Sequence, residues 1–154
     1  MFPDGVPYKY LKTVAGQVGL IDGRTVDTGI VTEMDQAEKD VVDAGDLDVA
    51  KTARRRALKV EAMAYFTTRY EAEDMEWFRD LFMEAVATGK TNRRAYIQTW
   101  LEWRAGAIDH AKDKVVAVSA ATTVVEVNAI VLNTIAMDAA DPGITLAAVL
   151  TYID

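Results

Sequence analysis

Between residues 46 and 90, apolar side chains return every three or four positions: Leu47, Ala50, Ala57, Leu58, Met63 and Phe66, then Trp77, Phe78, Leu81, Phe82, Ala85 and Val86. That spacing lays them along one face of an α-helix. Two helices are expected rather than one, because the acidic run after Tyr70 offers a new first turn and sets a break within Tyr70–Asp74. Gly89 stands where a glycine closes a helix in the left-handed conformation. Thr91 or Asn92 then caps a third helix that reaches about Ser119. Thr122 or Thr123 opens the next, with Glu126 at capping-box spacing and Val124, Val127, Ile130 and Val131 as its buried stripe. In the tail, Asp141 before Pro142 favours a helix start, while Ile144, Thr145, Val149 and Thr151 suit a strand; a helix is expected.

The first 31 residues follow a different rhythm, with two prolines and five glycines. "YKYLKTV", "QVGLI" and "RTVDTGIV" read as short strands, and Asp22–Gly23 is the turn signal of a hairpin. An acidic stretch follows that can hold one short helix, starting after Thr32 or Asp35 and ending at Gly45, with Asp46 or Asp48 capping the long pattern beyond. The expected fold is mainly α: a helical hairpin or bundle module over residues 46–154, preceded by a small β-rich arm and acidic linker over residues 1–45. Small β elements need a second surface to cover one face. Tyr8, Tyr10, Leu11, Val18, Leu20 and Ile21 are therefore the expected contacts of an arm that anchors on a neighbouring subunit.

Composition narrows the function. A chain of 154 residues that is 51% hydrophobic can build a core, and no apolar run approaches the ~18–20 residues of a membrane span. The start "MFPDGVPYKY" lacks the basic-then-apolar order of a secretory signal, so synthesis in a cytoplasm is expected. The absence of cysteine excludes disulfides, thiolate metal sites and thiol catalysis. Charge is uneven: residues 1–50 carry four basic and ten acidic groups, residues 51–114 thirteen and ten, and residues 115–154 none and four. Acidic flanks oppose binding to a phosphate backbone. Arg54, Arg55 and Arg56 fan over about 200° of a helix, which makes a salt-bridged surface a better reading than a phosphate site. Glu61, Glu71, Glu73 and Asp74 are the candidate ion-pair partners.

"TNRRAYIQTWLEWRAGAIDHAKDK", residues 91–114, concentrates aromatics on one helix. At ~100° per residue, Tyr96, Trp100, Trp103 and Ala107 lie within about 60° of one another. With the flanking aliphatic positions the stripe is roughly 160° wide, broader than a coiled-coil seam, so the helix should touch more than one neighbour. Tyr96, Trp100, Trp103, Trp77 and Phe78 are expected as packing or interface residues, not as a cofactor box, because no convergent polar groups accompany them. His110 is the only histidine, and Asp109 and Asp113 do not complete a metal constellation with it. Ser119, the only serine, has no nucleophile-elbow sequence around it. No phosphate loop, dinucleotide fingerprint or zinc spacing occurs. Neither an enzyme nor a bound cofactor or metal is expected.

Three stretches resemble small virion proteins of tailed bacteriophages, of the tail-fibre and baseplate-associated type. "DLDVAKTARRRALKVEAM" is similar to a helix opening found in fibre-associated chains. "NRRAYIQTWLEWRAGAIDHAKDKV" resembles their later helix, where a bulky residue precedes an alanine-rich stretch, and "AATTVVEVNAI" resembles the helix start that follows. The resemblance covers residues 46–132 and rests on helix caps and packing positions. It implies a non-enzymatic, homo-oligomeric structural component of a virion, in its tail region, whose partners are other virion proteins such as fibre or baseplate subunits, with no nucleic acid and no membrane. The alternatives are a tail-fibre assembly chaperone that leaves the particle and, more distantly, a nucleic-acid-binding regulator. The amino-terminal region typical of such chaperones is not seen here, which favours an incorporated component.

Overall fold

The structure, a computed structural model, describes residues 5–14, 18–21, 24–27 and 30–152, with side chains left out over 13–31. It is mainly α with a small β-rich amino-terminal part. A 3-10 turn at Tyr8–Tyr10 leads into strands β1 (Leu11–Val14), β2 (Val18–Ile21), β3 (Arg24–Asp27) and β4 (Ile30–Glu33). Six helices follow: α1 (Gln36–Arg69), α2 (Ala72–Thr88), α3 (Thr91–Ala120), α4 (Val124–Ala129), α5 (Thr134–Ala140) and α6 (Leu146–Thr151). Two compact units divide the chain, Met1–Val49 and Ala50–Asp154.

The strands form a nested antiparallel hairpin. β1 pairs with β4, with Leu11 opposite Glu33, and inside it β2 pairs with β3, with Ile21 opposite Arg24. The Asp22–Gly23 turn signal lies outside the described residues. "RTVDTGIV" is two strands, and Tyr8–Tyr10 form a turn where a strand was expected, because Pro7 at its cap and the bond from the Tyr10 N–H to the Pro7 carbonyl curl the chain.

Gly45 does not end a helix, and Asp46 and Asp48 do not begin one. α1 starts at a reciprocal cap, in which the Asp35 carboxylate accepts from the Glu38 N–H and the Glu38 carboxylate from the Asp35 N–H. It then runs unbroken to Arg69. A mid-helix glycine costs only about 1 kcal/mol, which 34 residues of continuous hydrogen bonding absorb.

The breaks after α1, α2 and α3 fall where the sequence put them. Glu71 is extended between α1 and α2, and Gly89 closes α2 at φ 71°. Lys90, not Thr91 or Asn92, is the cap of α3, and it caps without a side-chain bond. Thr123 and Glu126 form the expected capping box of α4. The stripe predicted for that helix is wrong: Val127 is buried, but Val124 and Val131 are exposed, because α4 stops at Ala129 and the chain turns before α5. Leu132 and Met137 are buried instead. The tail is helical, yet it starts from Thr145, whose hydroxyl accepts the Ala148 N–H, and not from Asp141–Pro142.

In the second unit, α2 and α3 make a helical hairpin, with α6 packed on both. Lys51 donates to the Ser119 carbonyl, while Phe66 meets Trp103 edge-on at 5.7 Å, so α1 and α3 run antiparallel. Phe66, Tyr70, Phe78, Trp100 and Trp103 interlock at ring separations of 5.1–6.0 Å, closed over by Met137, Ile144 and Val149. Edge-to-face contacts of this kind add to the area that the rings bury.

Candidate functional site

The residues singled out for packing separate into two groups. Phe78, Trp100 and Trp103 are buried in the chain's own core and are therefore not surface residues. The wide aromatic stripe on α3 is satisfied within the fold by α1, α2 and α6. Tyr96 is half-buried and stacks on Tyr152 at 5.1 Å. Trp77 points the other way and remains 47% exposed.

In the amino-terminal unit, Tyr8 is exposed and Leu11 is half-buried in β1; Val18, Leu20 and Ile21 lie in β2, with side chains outside the described residues. Tyr10 is held within the chain, its hydroxyl donating to Asp43 at 2.7 Å. Lys9 reaches Asp43 and Asp46, Lys12 reaches Glu38, and Lys39 pairs with Glu33. Hydrogen bonding to Asp43, then to Tyr10 and Asp46, raises the Lys9 pKa, and Lys9 in turn lowers that of Asp43. None of the described side chains in this unit is buried.

The candidate chemistry is structural in its geometry. The Nε2 of His110 accepts the Asn133 N–H at 3.0 Å, beside a 320 Å³ pocket between α3 and α5. Among the described residues no group of three His, Cys, Asp or Glu side chains could hold a metal, and no helix is long and apolar enough to cross a membrane. Arg54 bonds Glu61 at 2.7 Å and the Ile130 carbonyl at 2.8 Å, so the arginine run is partly spent inside the fold. Among the described residues, Glu61 is the one foreseen partner that it finds.

A polar clamp not foreseen from the sequence joins the end of α1 to the loop after α5. Asp141, its side chain only 5% exposed, accepts from Tyr70 Oη at 2.5 Å, Arg69 Nε at 2.7 Å and the Gly143 N–H at 2.9 Å. Asp138 takes Tyr65 Oη at 2.6 Å and Arg69 at 2.9 Å. Burial pushes the Asp141 carboxyl up, but the bonds from Tyr70, Gly143 and Arg69 outweigh it and hold the group below the ordinary aspartate value. Burial first, and then hydrogen bonding to these carboxylates, raises the pKa of Tyr65 and Tyr70, so both stay protonated donors.

The feature best suited to recognition is a groove of 610 Å³ between α1 and α3. Leu58, Ala62, Met63 and Phe66 form one wall; Ile108, Ala111, Val115 and Val116 form the other. Its cause is legible in side-chain size. Phe66 and Trp103 hold the two helices apart at one end, while Ala62 and Ala111 farther along are too small to fill the space. Met63 and Val116 are 68% and 67% exposed at its lips. Lys59, Lys112 and Arg104 stand around it. Arg104 lies over the Phe66 ring at 5.4 Å, its Nε is buried without a partner, and it has no carboxylate partner among the described residues. Burial, and secondarily the charge of Arg79, pushes its pKa down. Nothing matches the chain among family models, curated proteins or solved structures.

Proposed function

We propose that this chain is a non-enzymatic structural component of a tailed-phage virion, associated with its tail fibre or baseplate, which is made in the host cytoplasm and holds neighbouring subunits by helix packing. The observation that carries the packing role is the α1–α3 groove: a contiguous apolar surface, open at Met63 and Val116 and rimmed by cations. Exposed apolar patches with polar rims are characteristic of protein–protein contacts. Further exposed aliphatics at Val60, Val125 and Ile135 on the same unit support a surface built to be covered. The virion assignment draws its support from the resemblance over residues 46–132.

The polar groups that could have supported catalysis are engaged in holding elements together: Asp141 and Asp138 clamp α1, and His110 bonds the backbone at the start of α5. The reading therefore needs no cofactor, metal or nucleic acid. Its partners are other virion proteins and further copies of the chain. Mass spectrometry of purified particles from the phage encoding the chain tests it, with a stoichiometric virion component as the expected result. Absence from the particle, or traces only, sinks the structural assignment and turns the role towards a transient assembly chaperone.

A further inference from the structure

The groove differs from a general sticky patch in its charge. Among the described residues Lys59 has no ion-pair partner, Lys112 makes a single 3.3 Å contact with Asp109, and Arg104 has no carboxylate partner. An occupant that is apolar along one face and acidic at its margins would satisfy both the walls and the rim. Along its walls the groove runs from Leu58 to Phe66 and from Arg104 to Val116, about 12 Å and 18 Å at the rise of an α-helix. That accommodates about two to three turns of a third helix.

The chain carries such a helix itself. In the first part of α1, Ala37, Val41, Ala44 and Asp48 follow a four-three-four spacing, which places them on one face. All four are exposed, Val41 to 73%. Among the described residues, Asp40, which borders this face, accepts only the Gln36 amide, and Asp48 has no partner. Alanines at two of the four positions let the helix sit close over Ala62 and Ala111. From Ala37 to Asp48 the segment spans about 17 Å, close to the length of the α3 wall. Residues 1–50 as a whole carry ten acidic against four basic groups.

We propose that the α1–α3 groove of one copy receives the acidic first part of α1, residues 37–48, from a second copy. This rests on the structural-component reading and names the partner at its surface. The contact is heterologous: donor face and acceptor groove are different surfaces of the same chain. Repetition therefore builds a closed ring if the rotation closes, or an open array if it does not.

Light scattering on the full chain at tens of micromolar tests the contact directly. The wild type should exceed the 16.9 kDa of one chain, and its association should weaken as salt is raised. Lys59→Glu with Lys112→Glu removes the acceptor, and Val41→Asn with Asp48→Asn removes the donor. Each double variant alone should fall to single-chain mass, with at least a tenfold loss of association. An equimolar mixture of the two keeps one intact donor–acceptor contact and should give a species of two chains that grows no further. Circular dichroism checks that each variant keeps its helices; if the lysine pair does not, Val116→Asp at the exposed lip replaces it.

A variant that assembles like the wild type, or a mixture that stays monomeric, overturns the proposal. So does a wild type that never exceeds one chain. The last result leaves the structural assignment standing if the protein is stoichiometric in particles, whereas absence from particles defeats that assignment whatever the purified chain does.

Discussion

Two tryptophans one helical turn apart separate what packing and hydrogen bonding contribute. Trp100 is fully buried, yet its Nε1 has no partner; Trp103 donates its Nε1–H to the Met137 carbonyl at 2.8 Å, tying α3 to α5. Trp100→Ala should cost about 3–5 kcal/mol, because the ring fills the centre of the aromatic cluster and no neighbour can collapse into its place. Phenylalanine is the more discriminating replacement. At Trp100 it trims volume but also removes an unsatisfied donor, whereas at Trp103 it strands an acceptor in the interior. Trp103→Phe should therefore be the more damaging of the two by about 1–3 kcal/mol. Urea unfolding of both variants measures the difference, and equal midpoints would show that the Met137 bond contributes nothing net.

At the scale of elements, the two glycines on helices make opposite predictions. Gly45 lies inside α1, and a Cβ built on it meets open space, so Gly45→Ala should raise stability by about 0.5–1 kcal/mol. Gly89 sits at φ 71°, where an L side chain is strained, so Gly89→Ala should lower stability by about 1 kcal/mol although there too the space is free. Thermal melts that moved in the same direction for both would contradict the backbone argument. The Asp141 clamp adds a prediction in pH. A carboxyl whose pKa is lowered by folding contributes stability that is complete above its ordinary value of 3.8 and is lost as the pH falls through the lowered one. Asp141→Asn should cost about 2 kcal/mol at neutral pH, and its deficit against the wild type should shrink progressively below pH 3.8. A deficit that holds constant down to strong acid would place the effect in packing alone.

These same elements show what the sequence could tell. The ends at Tyr70, Gly89 and Thr123 were legible because each is decided locally, by an acidic first turn, a left-handed glycine or a capping box. The continuity of α1 through Gly45 was not, because a glycine punctuates a helix only when nothing farther along holds the ladder together. Periodicity also showed that Phe78, Trp100 and Trp103 would pack, but it cannot say against what. Trp103 bonds Met137, 34 residues away, and Tyr70 reaches Asp141 across 71, and such pairings carry no local signal. The groove was hidden for the same reason, since it is space left between side chains of α1 and α3 and not a motif on either.

At the scale of the whole molecule, the described burial lies in the second compact unit. Every buried residue described falls within Ala50–Asp154: the aromatic cluster, the aliphatic positions Leu58, Ile97, Val118 and Val127, and the closing residues Ile144 and Val149. In the amino-terminal unit the described interactions are a hairpin of four-residue strands and ion pairs such as Lys9–Asp43 and Lys12–Glu38, whose side chains are 34–50% exposed. Exposed pairs contribute roughly 0–1 kcal/mol each and weaken with salt. Burial on the scale of the second unit, at ~25 cal/mol per Å², is the larger effect by a wide margin. A fragment starting at Ala50 should therefore keep α2 to α6 and the remainder of α1, and unfold cooperatively with a midpoint close to that of the full chain. Residues 1–49 alone should show little order, and less still in high salt. Calorimetry and far-ultraviolet circular dichroism on the two fragments provide the check. A carboxy-terminal fragment without a cooperative transition would mean that the arm and the start of α1 contribute to the core in a way that burial does not reveal.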